Sequence, residues 1–224
     1  MAFEGFTKQG DAFFAQLAGR QDRDWFKAHR DEFKAHWEEP MKALLEELKG
    51  PIGKQYRGVA LKPPKVFRIY RDVRFSNDKS PFKTYVASMI GFPGGEEVGA
   101  PAAVYVSFGS ENLVAAGHWA LPPDKLKRYR GLVADAKTGP VLQKKVDVLL
   151  EKGFKAEAME ATKRVPPGFD ADHPRAALLK QKGLGFVFPE VPKAVRYSPK
   201  LAGWIIEQSK HVAPVVTWLE DRLS

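Results

Sequence analysis

The chain contains no cysteine. That absence removes disulfides, thiol nucleophiles and thiolate metal ligands together, so any metal would rest on His and carboxylate groups. It also suits a reducing compartment. No apolar run approaches the roughly 20 residues that a membrane-spanning helix needs, and the opening MetAlaPheGluGlyPheThrLys lacks a basic segment followed by an apolar one. A cytoplasmic, unprocessed chain that does not span a membrane is therefore expected. Four nucleotide and hydrolase signatures are missing as well: GxxxxGK[ST], GxGxxG after a strand, GxSxG and HExxH. Their absence argues against a conventional P-loop NTPase, Rossmann oxidoreductase, α/β-hydrolase or zincin, and no cofactor is expected. HisArgAsp at residues 29–31 mimics a kinase catalytic loop, but the downstream Asn, the Gly-rich loop and AspPheGly are not there. Acids, finally, are few: 27 Asp and Glu against 36 Lys and Arg, for a formal net charge of +9. That excess favours phosphates, nucleic acid or an anionic surface as partners.

With 44% hydrophobic and 28% charged residues, the composition is that of an ordinary globular chain able to bury a sizeable core. Phe13, Phe14 and Leu17 predict a short helix over residues 7–17, and Asp22 or Asp24 stands ready to cap the next. Trp25, Phe26, Phe33, Trp37, Met41, Leu44, Leu45 and Leu48 recur at helical spacing; Pro40 should bend or divide that helix, and LysGlyProIleGly should end it. From about Val66 to Trp119 the period becomes alternating. Strands are predicted on both flanks of a polar loop, over residues 103–109 and 112–119, and last at residues 185–189. Short links between the sequential strands require antiparallel pairing. Helices follow from Leu121 and Val141, residues 154–173 read as mostly loop, a short helix passes through Leu178 and Leu179, and Ser198 with Pro199 opens a helix that Pro214 should interrupt. The pattern is an α+β fold: an antiparallel sheet of about four or five strands packed with N-terminal and C-terminal helices, in one domain over residues 1–224, since no long polar linker or repeat divides it.

Residues 68–85, RIYRDVRFSNDKSPFKTY, concentrate the chemistry. Arg68, Arg71, Arg74, Lys79 and Lys83 face only Asp72 and Asp78 in sequence. Arginine grips phosphate or carboxylate through two parallel hydrogen bonds, lysine adds a mobile point charge, and Ser76, Asn77, Ser80 and Thr84 are neutral donors. Strand alternation places Arg68 with Tyr70 and Ile69 with Arg71, so all the cations converge only across a twist or bulge. The competing reading is that Arg71, Asp72, Arg74 and Asp78 pair internally and hold the loop closed. His118, beside Trp119 at a strand end, has the side chain best suited to proton transfer near neutral pH; the alternative is a hydrogen-bonded structural residue. His29, Glu32 and His36 share one helical side, a spacing open to metal, although His29 also borders the apolar stripe. LysLeuLysArgTyrArg at residues 125–130 interleaves cations with Tyr129 and reads either as a phosphate-backbone contact or as a solvated helix face.

PheArgIleTyrArgAspValArgPheSer followed by AspLysSerProPheLysThr, the pair Trp25 and Phe26, GlyHisTrp with the Pro122 that follows, LysArgValProProGlyPheAspAlaAspHisPro and LeuLeuLysGlnLys occur in this order along nearly the whole chain. Together they resemble domain-of-unknown-function family 2461, a group of uncharacterised bacterial and fungal proteins. The resemblance implies a single α+β domain of about this length and brings no catalytic or binding assignment with it. The residues themselves leave three functions open. The first is a small-molecule site for a phosphate- or carboxylate-bearing ligand at Arg68, Arg71, Asp72, Arg74, Lys79, Lys83 and His118, with any reaction undecided. The second is a nucleic-acid-binding module contacting the phosphate backbone, and the third a structural or interaction protein with internally paired charges.

Overall fold

A computed structural model describes residues 2–74, 77–92 and 101–223. The N-terminal helices grow from side-chain caps, of which Asp22 was expected and Thr7 was not. Thr7 is extended and its hydroxyl accepts the Gly10 N–H at 3.1 Å, starting α1 (Lys8–Arg20). Asp22 accepts the Trp25 N–H at 2.6 Å and starts α2 (Arg23–Ala28). Next come α3 (Arg30–Phe33), one π-helical turn (Lys34–Glu38) and α4 (Glu39–Gln55). The π turn is the local consequence of Pro40: with no N–H to offer the carbonyl four residues back, the chain widens, and the Glu39 N–H reaches Lys34 instead. Pro51 does not end α4 as expected. The helix continues to Gln55 because Leu44, Leu45, Leu48 and Ile52 form one buried stripe, so packing outweighs a single lost hydrogen bond.

The sheet has six strands rather than four or five: β1 (Lys65–Val66), β2 (Tyr85–Gly91), β3 (Ala102–Gly109), β4 (Leu113–His118), β5 (Lys155–Glu157) and β6 (Leu184–Val187), in the order β1-β2-β3-β4-β6-β5 with every pairing antiparallel. The extra strand, β5, lies inside the stretch read as loop. It has no apolar alternation of its own and exists because β6 offers it an edge. The strand expected over residues 66–70 is mostly absent too, since only Lys65 and Val66 join the ladder. Phe67 donates to the Ala87 carbonyl at 2.8 Å, yet Tyr70 bridges Phe82. Arg68 and Ile69 are thus matched against residues 83–86, an irregularity of the bulge kind. The stretch from Phe92 to Pro101 reads from the sequence as a flexible connection; its residues 93–100, like Ser76, lie outside the described residues.

Val86, Ser88 and Ile90 of β2, Val104, Val106 and Phe108 of β3, and Val114 and Ala116 of β4 are buried. This face packs on α1, α4 and α9 (Lys200–Leu223), as the Ser88 hydroxyl bonded to the Met41 sulfur at 3.0 Å illustrates. The other face presents Tyr85, Met89, Tyr105 and Leu113, all partly exposed. The helical layer is completed by α5 (Pro123–Ala134), α6 (Thr138–Glu151), α7 (Ala176–Lys180) and α8 (Lys193–Arg196). Pro214 does not interrupt α9, whose buried Val212, Ala213, Val215, Val216 and Leu219 carry it through. At the N-terminal end Phe6, Phe13, Phe14, Phe33 and Trp37 form a ring-on-ring cluster. Gly10 is required there: a Cβ would lie 2.9 Å from the Trp37 ring, whose indole N–H donates to the Gly10 carbonyl at 2.8 Å. No helix among the described residues is long and apolar enough to cross a membrane.

Candidate functional site

The loop at residues 71–83 hangs from two backbone hydrogen bonds, Lys83 N–H to Ile69 at 2.8 Å and Arg71 N–H to Pro81 at 2.9 Å. Within it, much of the charge turns inward. Arg74 grips Asp72 through both forks, Nε to Oδ1 at 3.0 Å and Nη2 to Oδ2 at 2.7 Å, and this holds the Asp72 carboxyl down at about 2. Asp78 accepts the Ser80 hydroxyl at 2.6 Å and the Ser80 N–H at 2.9 Å, and Arg71 stands 3.0 Å away; the carboxyl is held below its usual range, chiefly by Ser80. Arg71 also donates to the Phe82 carbonyl at 2.8 Å, and Lys79 to the Val73 carbonyl at 2.9 Å. Arg74 and Lys79 therefore act first as loop braces.

Arg68, Arg71 and Lys83 are brought together differently. The Lys83 ammonium sits 5.9 Å from the centroids of both Phe67 and Tyr85. Burial pushes its pKa down, the nearby Arg68 and Arg71 push it further, and Glu111 draws it the other way. The result is a cluster of three cations on an aromatic floor, in which Arg71 is paired with Asp78, Arg68 stands near Asp72 and Lys83 is the half-buried member. An oxyanion placed there gains Coulomb energy from three cations and relieves their mutual repulsion.

His118 is elsewhere. The loop enters β2 at Tyr85, opposite Gly109, whereas β2 leaves at Gly91, opposite Ala102, which in turn faces Gly117. His118 follows Gly117 and so stands at the other end of the sheet. It is 2% exposed, stacked on Phe92 at 5.9 Å and 9°, with Nε2 3.4 Å from a Glu220 carboxyl oxygen. Burial, then Lys125, lowers its pKa to about 4, so the imidazole is neutral at pH 7. The other histidines diverge: His29 stacks on Trp25 at 4.1 Å, while His36 Nδ1 meets the Thr7 hydroxyl at 3.0 Å. Among the described residues no three His, Asp or Glu side chains stand where they could hold a metal ion. In the run at residues 125–130, Tyr129 is fully buried with its hydroxyl donating to Leu178, and Arg130 donates to Leu179 at 3.2 Å, so the aromatic of that run belongs to the core.

Sequence reasoning passed over the other side of the basic arm. A cavity of about 650 Å³, lined by Phe26, Arg30, Phe33, Arg68 and Tyr70 among others, opens between the N-terminal helices and residues 64–70. A second, of about 450 Å³, adds Arg23 and Lys27. The signal was present: Arg23, Lys27 and Arg30 recur at i, i+4 and i+7, the polar complement of the apolar stripe.

The conserved hypothetical proteins grouped as DUF2461 match this chain over residues 11–218. The chain belongs to this family. No curated protein matches it. The DUF2461 region begins in the first turn of α1 and ends within α9, so the loop, the neighbouring cavities and His118 all lie inside it.

Proposed function

We propose that this DUF2461 protein binds a small phosphate- or carboxylate-bearing molecule at Arg68, Arg71 and Lys83. The observation that carries the reading is the half-buried Lys83 ammonium, set beside two guanidinium groups, with Glu111 the attractive charge acting on it among the described residues. Asp72, Arg74, Asp78 and Lys79 keep the loop in shape around the cluster, a structural role that accords with their internal bonds. His118, far along the sheet, takes no part. We place the protein in the cytoplasm as a single domain, in keeping with its lack of cysteine.

The test is thermal unfolding with inorganic phosphate, pyrophosphate and citrate. A ligand at 100 times its Kd stabilises by about 2.7 kcal/mol, or roughly 5–10 °C for a chain of this size. Lys83→Met should erase that response while leaving the unliganded melting temperature unchanged or higher, because an apolar chain of similar length replaces a repelled, half-buried charge. The response should also fade at a lower pH than an ordinary lysine near 10.5 would dictate, since the Lys83 ammonium gives up its proton early. Absence of any anion response at pH 7 ends the proposal.

A further inference from the structure

The two cavities beside the basic arm share Phe26, Arg30 and Tyr70, so they form one groove. Arg23, Lys27 and Arg30 line one bank from α2 and the start of α3, and Arg68 lines the other. All four are exposed, and none takes part in an ion pair with an acid among the described residues, although Arg68 stands close enough to Asp72 to help hold that carboxyl down. The acids in the same walls are Asp24, Glu38 and Glu46, and Glu38 is already held by Lys42 at 2.7 Å, so positive charge is in excess. Between the banks Tyr70 is 42% exposed, so one face of its ring is open to a ligand. Its ring packs edge-on to Phe26 at 6.1 Å and tilted against Phe82 at 5.2 Å. The π-helical turn borders the groove through Glu38, and such turns recur at functional sites.

A small anion would use one or two of these cations and leave the ring idle. Spaced cations flanking an exposed ring suit a chain that repeats its charge and carries flat bases free to stack, which is single-stranded nucleic acid. A duplex keeps its bases stacked on each other and gives Tyr70 nothing to hold. We infer that the groove between the N-terminal helices and residues 64–70 binds a short single-stranded oligonucleotide, with phosphates on Arg23, Lys27, Arg30 and Arg68 and a base on Tyr70. This site is independent of the small-anion reading except for Arg68, which both use.

Fluorescence anisotropy with a labelled oligothymidylate, the matching blunt duplex and inorganic polyphosphate, across a potassium chloride series, decides the matter. Four phosphate contacts predict a slope of log K against log salt of about −2.8 for the single strand. The triple variant Arg23→Gln, Lys27→Gln, Arg30→Gln should flatten the slope to about −0.7, while the phosphate-induced melting shift at Arg68 and Lys83 persists. Loss of the groove and loss of the small-anion site are thereby told apart. Tyr70→Ala should weaken the single strand about tenfold, and Tyr70→Phe should restore it. Three results each overturn the inference: no retention of oligothymidylate at low salt, binding that the triple variant leaves untouched, or equal binding of duplex and polyphosphate with no effect of Tyr70→Ala.

Discussion

Arg196 lies with its guanidinium 5.3 Å from the Phe108 centroid and 5.8 Å from that of Trp37, and it reaches the Asp11 carboxylate at 2.5 Å. Tyr197 donates its hydroxyl to the same carboxylate. One acid in the first turn of α1 thus ties the chain's beginning to the entry of the C-terminal helix, across 185 residues of sequence. The Arg196 side chain is only 12% exposed, so truncation leaves the part-buried Asp11 with Tyr197 and without its charge partner, and opens space between rings. Arg196→Met should cost about 2 kcal/mol, read by urea unfolding, and combining it with Asp11→Asn should cost less than the sum of the two. Additive losses would show that the pair does not act as a unit. The same scale shows what a sequence can disclose of a site. That residues 68–83 were cationic could be read directly, and so could the two possible fates of the charge. Which arginine would meet which carboxylate could not, because the Arg74 and Asp72 pairing depends on loop dihedrals that residue type does not dictate. Arg23, Lys27 and Arg30 were visible as a stripe, but their meaning depends on Tyr70 arriving from 40 or more residues away, as the shared cavity lining reveals.

Helices were legible where their apolar residues kept a 3.6 period, and strands β2, β3 and β4 where they alternated. The errors came from prolines and from borrowed edges. Pro51 and Pro214 read as breaks because local chemistry says so, but both helices are held by long buried stripes that a single missing N–H does not outweigh. β5 could not be foreseen, since three residues acquire strand character only from pairing with β6. Pro40 had a real consequence, the π turn, and its placement matters because that turn borders the groove. These readings give a prediction at the level of an element. If α4 is maintained by packing despite Pro51, Pro51→Ala restores an N–H to the Glu47 carbonyl and removes a ring clash, and it should stabilise the protein by about 1–2 kcal/mol in denaturant titrations. A destabilised variant would instead mean that the neighbouring chain has packed around a bend that the proline imposes.

At the scale of the whole molecule, the helices that pack on the sheet cover one face, and the sheet's two ends carry opposite kinds of chemistry. The loop end is cationic and built from exposed and half-buried groups. The other end buries His118 under α9, beside Glu220 and near Lys125. A histidine whose pKa falls from 6.5 to about 4 on folding binds its proton more readily in the unfolded chain. Its contribution to stability is therefore complete above pH 6.5 and is lost as pH falls towards 4, by roughly 3 kcal/mol in total for the shift taken alone. Glu220 works against this. Burial raises its pKa, so its penalty for being charged is relieved over part of the same descent. The net expectation is a fall in the urea midpoint between pH 7 and pH 4 that His118→Gln makes shallower, because the amide keeps a polar group beside Glu220 but takes up no proton. Equal slopes for the two proteins would place the acid sensitivity in the carboxylates paired to arginine and lysine at the surface. The anion and oligonucleotide responses at the loop end should be the same in His118→Gln as in the parent protein at pH 7, since the imidazole is already neutral there and lies at the far end of the sheet.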